Sequence, residues 1–229
     1  MKFDKNIDCR HCSIQCDIYR AMQEAGRCPS DVKPVHAHFR KHEIISKQGS
    51  EVTNAIYLVS GSAKLYIEGL NNRNIILYIL TPQSYIGLLS FFETAKYSYS
   101  VTALEDTRIC MVDLDFLKQL YIGNHDFLIR LNKAFGRSVA SIMSKIITLN
   151  QKNIRGRVAD SLLYLARLGN SDRFRLNLTR KELGELSAIS EENTVRLLTE
   201  FRKEGIIDLN GKDVQILDRG LLEKISELG

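Results

Sequence analysis

The sequence predicts an α+β chain in three successive parts: a strand-rich roll, a long helix and a winged helix-turn-helix. Three observations predict it. Residues 38–113 carry short apolar runs of mostly period-two character, broken by glycine and polar turns, the pattern of a sandwich or barrel. Past residue 115 the period changes: Phe135, Val139, Ile142, Ile146 and Leu149 recur at intervals of 4, 3, 4 and 3, a seam along one face of a helix. Residues 178–217 then combine two short helices at a tight turn with an Asn-Gly hairpin.

The bulk composition suits that reading. The chain has 229 residues, 44% hydrophobic and 26% charged, enough for one large or two modest cores. No apolar run approaches the roughly 20 residues of a membrane span. The opening MKFDKNIDCRHC lacks the long apolar stretch of a secretory signal. The expected compartment is the cytoplasm, with no membrane partner. There thiols stay reduced, so clustered cysteines point to metal or redox chemistry before disulfides. A net charge of +5 permits a nucleic-acid partner without requiring one.

Element by element, residues 1–30 read as a cysteine-bearing cap, irregular or partly helical, closing at Cys28-Pro29. Residues 31–124 form the roll. Within it IYLVSGSAKLYIEG (56–69) reads as a hairpin broken at Ser60-Gly61-Ser62. NIILYILTP (74–82) is a further strand stopped by proline, and YSVTALEDTRICMVD (99–113) holds two strands around Glu105-Asp106-Thr107. Residues 125–150 form the long helix, with Leu128 one heptad before Phe135. Its seam packs either on its own domain or against the same helix of a second chain. Residues 151–229 form the last part, beginning with an amphipathic helix over 155–169 ended by Gly169 and a loop over 169–174.

The carboxy-terminal third has the clearest local logic. Thr179 followed by Glu182 is a capping box, with Leu183 and Leu186 turned inward. Ala188-Ile189 is the turn. Ser190 is a good N-cap for a second helix, with Glu191 and Glu192 well placed in its first turn. That helix is expected to bury Val195, Leu198 and Phe201 and to leave Glu192, Asn193, Arg196 and Thr199 largely exposed. Arginine can grip guanine O6 and N7 with two hydrogen bonds, and glutamate can accept from cytosine N4. A recognition helix reads bases from its N-terminal end, where Glu192 and Arg196 lie one turn apart. Glu191 and Asn193 share that end, and Thr179, Arg180, Ser190 and Lys212 are candidate phosphate contacts. The plainer alternatives are a dipole-stabilising carboxylate at Glu192 and a solvated charge at Arg196.

The cysteines pose a separate question. CRHCSIQC (9–16) holds three of the five, Cys9, Cys12 and Cys16, and Cys110 lies on a strand of the roll. Four thiolates would suit a 4Fe–4S cluster. A C-x₂-C pair suits zinc equally, with His11 as an extra ligand. Bare thiols that react with oxidants are the third reading. Cys110 alone reads as a small buried apolar residue. His36 and His38, on one strand face, could hold a metal or form a solvated basic edge. With no Ser-His-Asp order, phosphate loop or HExxH motif, no enzyme is expected.

The order of these parts resembles the Crp/Fnr family of bacterial transcription regulators over nearly the whole chain. YLVSGSAKLYI looks like the family's roll hairpin, and LTRKELGEL…SEENTVRLL looks like its DNA-reading motif. The resemblance implies a cyclic-nucleotide-binding-like β-roll (a jelly roll), a dimerisation helix and a homodimer on palindromic double-stranded DNA, with RNA polymerase as a partner. It puts the base-reading glutamate and arginine on Glu192 and Arg196. Val195 stands where the family usually has a small residue, and Ala188 replaces the family's turn glycine. Cyclic-AMP-binding members carry a Gly-Glu-Leu cassette and, about ten residues on, an arginine for the cyclic phosphate. Here Gly87 is kept, Leu88 replaces the glutamate, and Tyr97 stands near the arginine position. No cyclic nucleotide is therefore expected. The oxygen-sensing members hold a 4Fe–4S cluster through three N-terminal cysteines and one in the roll. CRHCSI and ALEDTRIC match that branch locally, although Cys12 and Cys16 are separated by three residues where the family has five, and Cys28 could replace Cys16. The implied function is a redox-, oxygen- or nitric-oxide-responsive regulator. The alternative is a metal-free regulator with a small molecule in its roll.

Overall fold

The computed structural model describes residues 2–4, 9–12, 14–28, 32, 34–88, 91 and 96–229. Parts of the expected cap, and of the stretch compared with the nucleotide cassette, lie outside the described residues. The chain divides into two compact units: residues 1–67 with 79–141, and residues 68–78 with 142–229.

In the first unit a strand β1 (Lys2–Asp4) is followed by a 3₁₀ turn at Cys9–His11 and a helix α1 (Asp17–Glu24). The strands β2 (Val35–Phe39), β3 (Ile44–Ser46), β4 (Asn54–Ser60), β5 (Ala63–Ile67), β6 (Ile75–Leu80), β7 (Tyr85–Ile86), β8 (Ser100–Ala103) and β9 (Thr107–Asp113) build the roll. They form two sheets, β1-β2-β9-β4-β7 and β3-β8-β5-β6. The expected hairpin at 56–69 is not one. β4 pairs with β9 and β7, whereas β5 pairs with β8, so Ser60-Gly61-Ser62 carries the chain from one sheet to the other. The physical reason is visible at Gly61, at φ +86°: a Cβ there would sit 2.6 Å from the Asp106 carbonyl oxygen. The chain passes so close to the β8–β9 corner that only glycine fits.

Asp113 caps the next helix, α2 (Leu114–Gly123), by accepting from the Phe116 N–H at 2.9 Å. The long helix α3 follows over His125–Gln151. Phe127 and Leu131 are fully buried in a core shared with Ile18, Met22, Tyr57, Cys110, Leu117 and Leu120. Burying large apolar side chains of this kind stabilises by about 1.5–3 kcal/mol each.

The second unit contains α4 (Ile154–Gly169), β10 (Arg173–Arg175), α5 (Arg180–Ser187), α6 (Glu191–Lys203), β11 (Ile207–Asn210), β12 (Asp213–Ile216) and α7 (Arg219–Leu228). Two local expectations are corrected. Asn170, at φ 47°, is the left-handed cap of α4, and its amide donates to the Ala166 and Arg167 carbonyls. The supposed loop then turns into β10 at Arg173, which pairs with β12 as the third strand of the wing, order β10-β12-β11. Val158, Leu162, Leu183, Leu197, Phe201, Ile207 and Val214 form the core of this unit, each at most 2% exposed. Among the described residues, no helix is long and apolar enough to cross a membrane.

Candidate functional site

The candidate DNA-contacting residues cluster on α5 and α6. Thr179 Oγ1 accepts from the Glu182 N–H at 3.1 Å, and Glu182 Oε2 accepts from the Thr179 N–H at 2.8 Å, a complete capping box. Ser190 Oγ accepts from the Asn193 N–H at 3.2 Å and caps α6. Between them Ala188 adopts φ 50°, ψ 49°. The two helices approach closely at Gly184, where a Cβ would lie 2.9 Å from both the Ile189 carbonyl oxygen and Thr194 Oγ1.

The buried stripe of α6 is Thr194, Leu197, Leu198 and Phe201. Val195, expected inside, is 48% exposed. The 3.6-residue period explains the shift: with Leu198 and Phe201 inward, Thr194 and Leu197 complete the stripe and Val195 falls off its edge. Val195 thus joins Glu191, Glu192, Arg196 and Thr199 on the exposed face. Arg196 donates from Nη1 to Glu200 Oε1 at 2.8 Å and from Nη2 to Asn193 Oδ1 at 3.4 Å. Glu200 also faces Arg155 at 3.6 Å, and Arg155 pairs with Glu204 and lies 4.9 Å from the centre of the Phe201 ring. This carboxylate support is absent from the sequence reading, although Arg196 and Glu200 at i, i+4 were there to find.

Arg180, a candidate phosphate contact, donates from Nη2 to the Gly211 carbonyl oxygen at 2.6 Å, tying the start of α5 to the wing turn. The Lys212 carbonyl accepts from the Leu176 N–H at 2.8 Å, so the wing turn is held while the Lys212 side chain stays exposed. The end of α3 is joined to the same motif. Lys145 is buried and donates to the Leu186 carbonyl, and burial pushes its pKa down to about 8. Arg157 donates to the carbonyls of Leu149 at 2.7 Å and Lys152 at 2.9 Å, and more weakly to Ala188 at 3.5 Å. Cations at helix C-termini satisfy the last carbonyls in this way.

Along α3 the seam residues Leu128, Phe135, Val139, Ile142 and Leu149 are half-buried, and Ile146 is 54% exposed. Phe135 packs on the core of the first unit. Met143 and Ile147, which the heptad reading omitted, are 59% and 54% exposed beside the seam.

The cysteines come together in the first unit. Cys9 opens the 3₁₀ turn, Cys16 is the N-cap of α1, and Cys110 lies on β9. Cys9 and Cys16 pack against the core cluster that contains Cys110. Burial, followed by the charges of Cys16, Cys9 and Cys12, pushes the Cys110 thiol well up. Burial likewise raises that of Cys16. Cys28 is exposed and is not among the groups acting on Cys110. His11 is exposed; His36 is buried on β2 and His38 is exposed. Among the described residues, no three His, Cys, Asp or Glu side chains are drawn together as a single-ion site.

From Cys16 the cap helix reaches α3. Arg130 donates to Glu24 through Nη1 at 3.2 Å and Nη2 at 2.9 Å, and its Nε lies 3.7 Å from Asp17. Asn124 Nδ2 donates to Glu24 at 2.9 Å and to the Ala21 carbonyl at 3.2 Å. The strand bearing Cys110 does not run straight into the long helix. Instead α2 intervenes, and α1 makes the direct contact.

At the cassette position the Gly87 N–H donates to the Tyr99 hydroxyl at 2.9 Å, Leu88 is buried, and the Tyr97 ring packs edge-on to Tyr99 at 6.4 Å. A small recess nearby is lined by Val52, Tyr85, Leu88, Phe91 and Leu117 among others.

Comparison with known proteins agrees with this anatomy. Residues 36–124 match the cyclic nucleotide-binding domain and residues 156–225 the Crp-like helix-turn-helix domain. The cAMP-activated global transcriptional regulator CRP of Salmonella typhimurium is 26% identical over 189 residues, 79% of this chain and 90% of that protein. The transcriptional activator protein FnrA of Stutzerimonas stutzeri is 24% identical over 226 residues, 95% of this chain and 92% of its own. In fold, FixK2 of Bradyrhizobium japonicum superposes with a TM-score of 0.76 at 19% identity, covering 83% of this chain and 96% of FixK2. A roll and a Crp-like reading head joined by one long helix, matched by relatives along nearly their full length, place the chain in the Crp/Fnr family of DNA-binding transcription regulators.

Proposed function

We propose that this regulator is a cytoplasmic homodimer that binds palindromic DNA, works with RNA polymerase, and responds to redox state, oxygen or nitric oxide through a 4Fe–4S cluster held by Cys9, Cys12, Cys16 and Cys110. The observation that carries the reading is that Cys9 and Cys16 pack against the core cluster containing Cys110, with the Cys12 N–H bonded back to the Cys9 carbonyl at 3.3 Å. Four soft donors, one buried and three half-buried, suit a cubane in number and chemistry. When bound, the cluster supplies iron and sulfide that react with oxygen or nitric oxide.

The protein's own residues do the rest. Cys16 begins α1, and Glu24 at its other end grips Arg130 on α3. A change in how the cap seats against β9 therefore reaches α3 through one helix of eight residues. Two alternative helix positions, biased by the cap, make a switch of the ordinary kind. On the DNA side, Arg196 is the guanine reader and Glu192 the cytosine reader. Glu191, Asn193 and Val195 border them, and Thr179, Arg180, Ser190 and Lys212 flank the phosphates. The exposed seam around Ile142 and Ile146 supports the dimer. Cyclic nucleotides are disfavoured, because Leu88 and Tyr97 offer no charge to ribose or phosphate.

Purification without oxygen, followed by iron, sulfide and zinc analysis and a visible spectrum, tests the signal. The expected result is about four irons and four sulfides per chain, bleached by air and absent from Cys110→Ser. Stoichiometric zinc, or no metal after reconstitution with iron and sulfide, would remove the cluster and favour the metal-free regulator with a ligand in its roll.

A further inference from the structure

Four side chains line up across the sheet beneath the cap. Strand register sets His36 opposite Cys110, Cys110 opposite Tyr57, and Tyr57 opposite Tyr85. Directly opposed residues share a face of the sheet. The row therefore crosses β2, β9, β4 and β7 on one side, and all four residues are buried, Tyr85 at 8% exposure. The Tyr57 and Tyr85 rings meet edge to face at 5.0 Å.

Tyr85 is the anomaly in this row. Its hydroxyl is buried and has no hydrogen-bond partner among the described residues. A buried donor without an acceptor is destabilising, and native structures rarely keep one without a use. Tyr85 belongs to the core cluster that contains Cys110 and against which Cys9 and Cys16 pack. A buried phenol hydroxyl in that company lacks only a strong acceptor, which neutral thiols are not. A thiolate or an inorganic sulfide is one.

We infer that Tyr85 is a positioning residue whose hydroxyl donates a hydrogen bond to a sulfur of the group held by Cys9, Cys12, Cys16 and Cys110. The inference rests on the cluster reading above and deepens it. Hydrogen bonds to cluster sulfurs set both reduction potential and stability.

The test compares the full-length protein with Tyr85→Phe, each studied metal-free and after anaerobic reconstitution with iron and sulfide. Wild type and variant should take up the same iron and sulfide. The variant should lose iron to a chelator about tenfold faster, as is usual when a partner of a metal ligand is removed, and its midpoint potential should move negative. Metal-free, the variant should melt at or above the wild-type temperature, because an orphaned donor has been removed. An unchanged potential and chelation rate would overturn the role of Tyr85 and leave the cluster reading standing. A metal-free variant that melts lower would also overturn it, since the hydroxyl would then have a structural partner. A wild-type protein that takes up no iron would overturn both.

Discussion

Replacing Ala188 by glycine should make the protein more stable, against the usual trend for that substitution. Ala188 sits between the two helices of the reading head at φ 50°, ψ 49° and is half-buried. The left-handed well costs an L residue about 1–2 kcal/mol. Glycine enters it without that cost but loses more chain entropy on folding, about 0.5–1 kcal/mol. The half-buried methyl is worth a further ~0.4 kcal/mol, half of a buried methylene. At the middle of these ranges the difference favours glycine by about 0.35 kcal/mol, whereas valine, β-branched and ill-suited to positive φ, should lose more than about 1 kcal/mol. The amides of Ala188 and Ile189 both donate to the Gly184 carbonyl, so the turn itself offers a local probe. Native-state hydrogen exchange of those amides, together with urea unfolding, reads the change. A glycine variant less stable than wild type, or a valine variant equal to it, would refute the strain argument.

Three further outcomes follow from the same anatomy. Changing Ile142 and Ile146 together to Glu should give monomers by sedimentation that bind DNA poorly; an unchanged dimer would mean that the seam lies elsewhere. Arg196→Ala should cost about 1–3 kcal/mol on the specific site with little change on random DNA, whereas Lys212→Ala should weaken both alike and reduce the salt dependence by about one unit of slope; equal weakening of both DNAs by Arg196→Ala would make it a phosphate contact. Glu24→Gln should loosen α1 from α3 by about 0.5–1 kcal/mol, a few-fold in amide exchange along α1. The hydrogen bond from Arg130, then that from Asn124, holds the Glu24 pKa below its ordinary value. The contribution is therefore complete above the usual carboxylate range and is lost as pH falls through the lowered value, so wild type should come to resemble the glutamine variant in acid.

Much of this molecule is readable from local rules. The capping box at Thr179 and Glu182, the cap at Ser190 and the hairpin between β11 and β12 are decided within a few residues, and the sequence shows them directly. The Crp/Fnr resemblance adds the order of the parts. What local rules miss depends on partners distant in sequence. Ser60-Gly61-Ser62 has every sign of a hairpin turn, and only the approach of the β8–β9 corner reveals a change of sheet. Val195 fits the apolar pattern of α6 as well as Thr194 does, and the packing of α5 at Gly184 gives the inward place to threonine. Spacing in CRHCSIQC leaves the third cysteine undecided between Cys16 and Cys28. The fold brings Cys16 to Cys110 because α1 starts there, and it leaves Cys28 past the helix end.

The polar row beneath the cap belongs to no strand taken alone. It exists only while β2, β9, β4 and β7 keep step, because side chains alternate between faces with a period of two. The irregularity in the pairing of β4 with β9 falls between Leu58 and Ser60, just past the row, where it leaves Tyr57 opposite Cys110. The sheet thus works as a reading frame. One residue inserted in β4 ahead of Tyr57 would spare all four cysteines and turn the tyrosine away from them. Relatives that share the cysteine spacing but slip this register would keep the thiols and lose their floor.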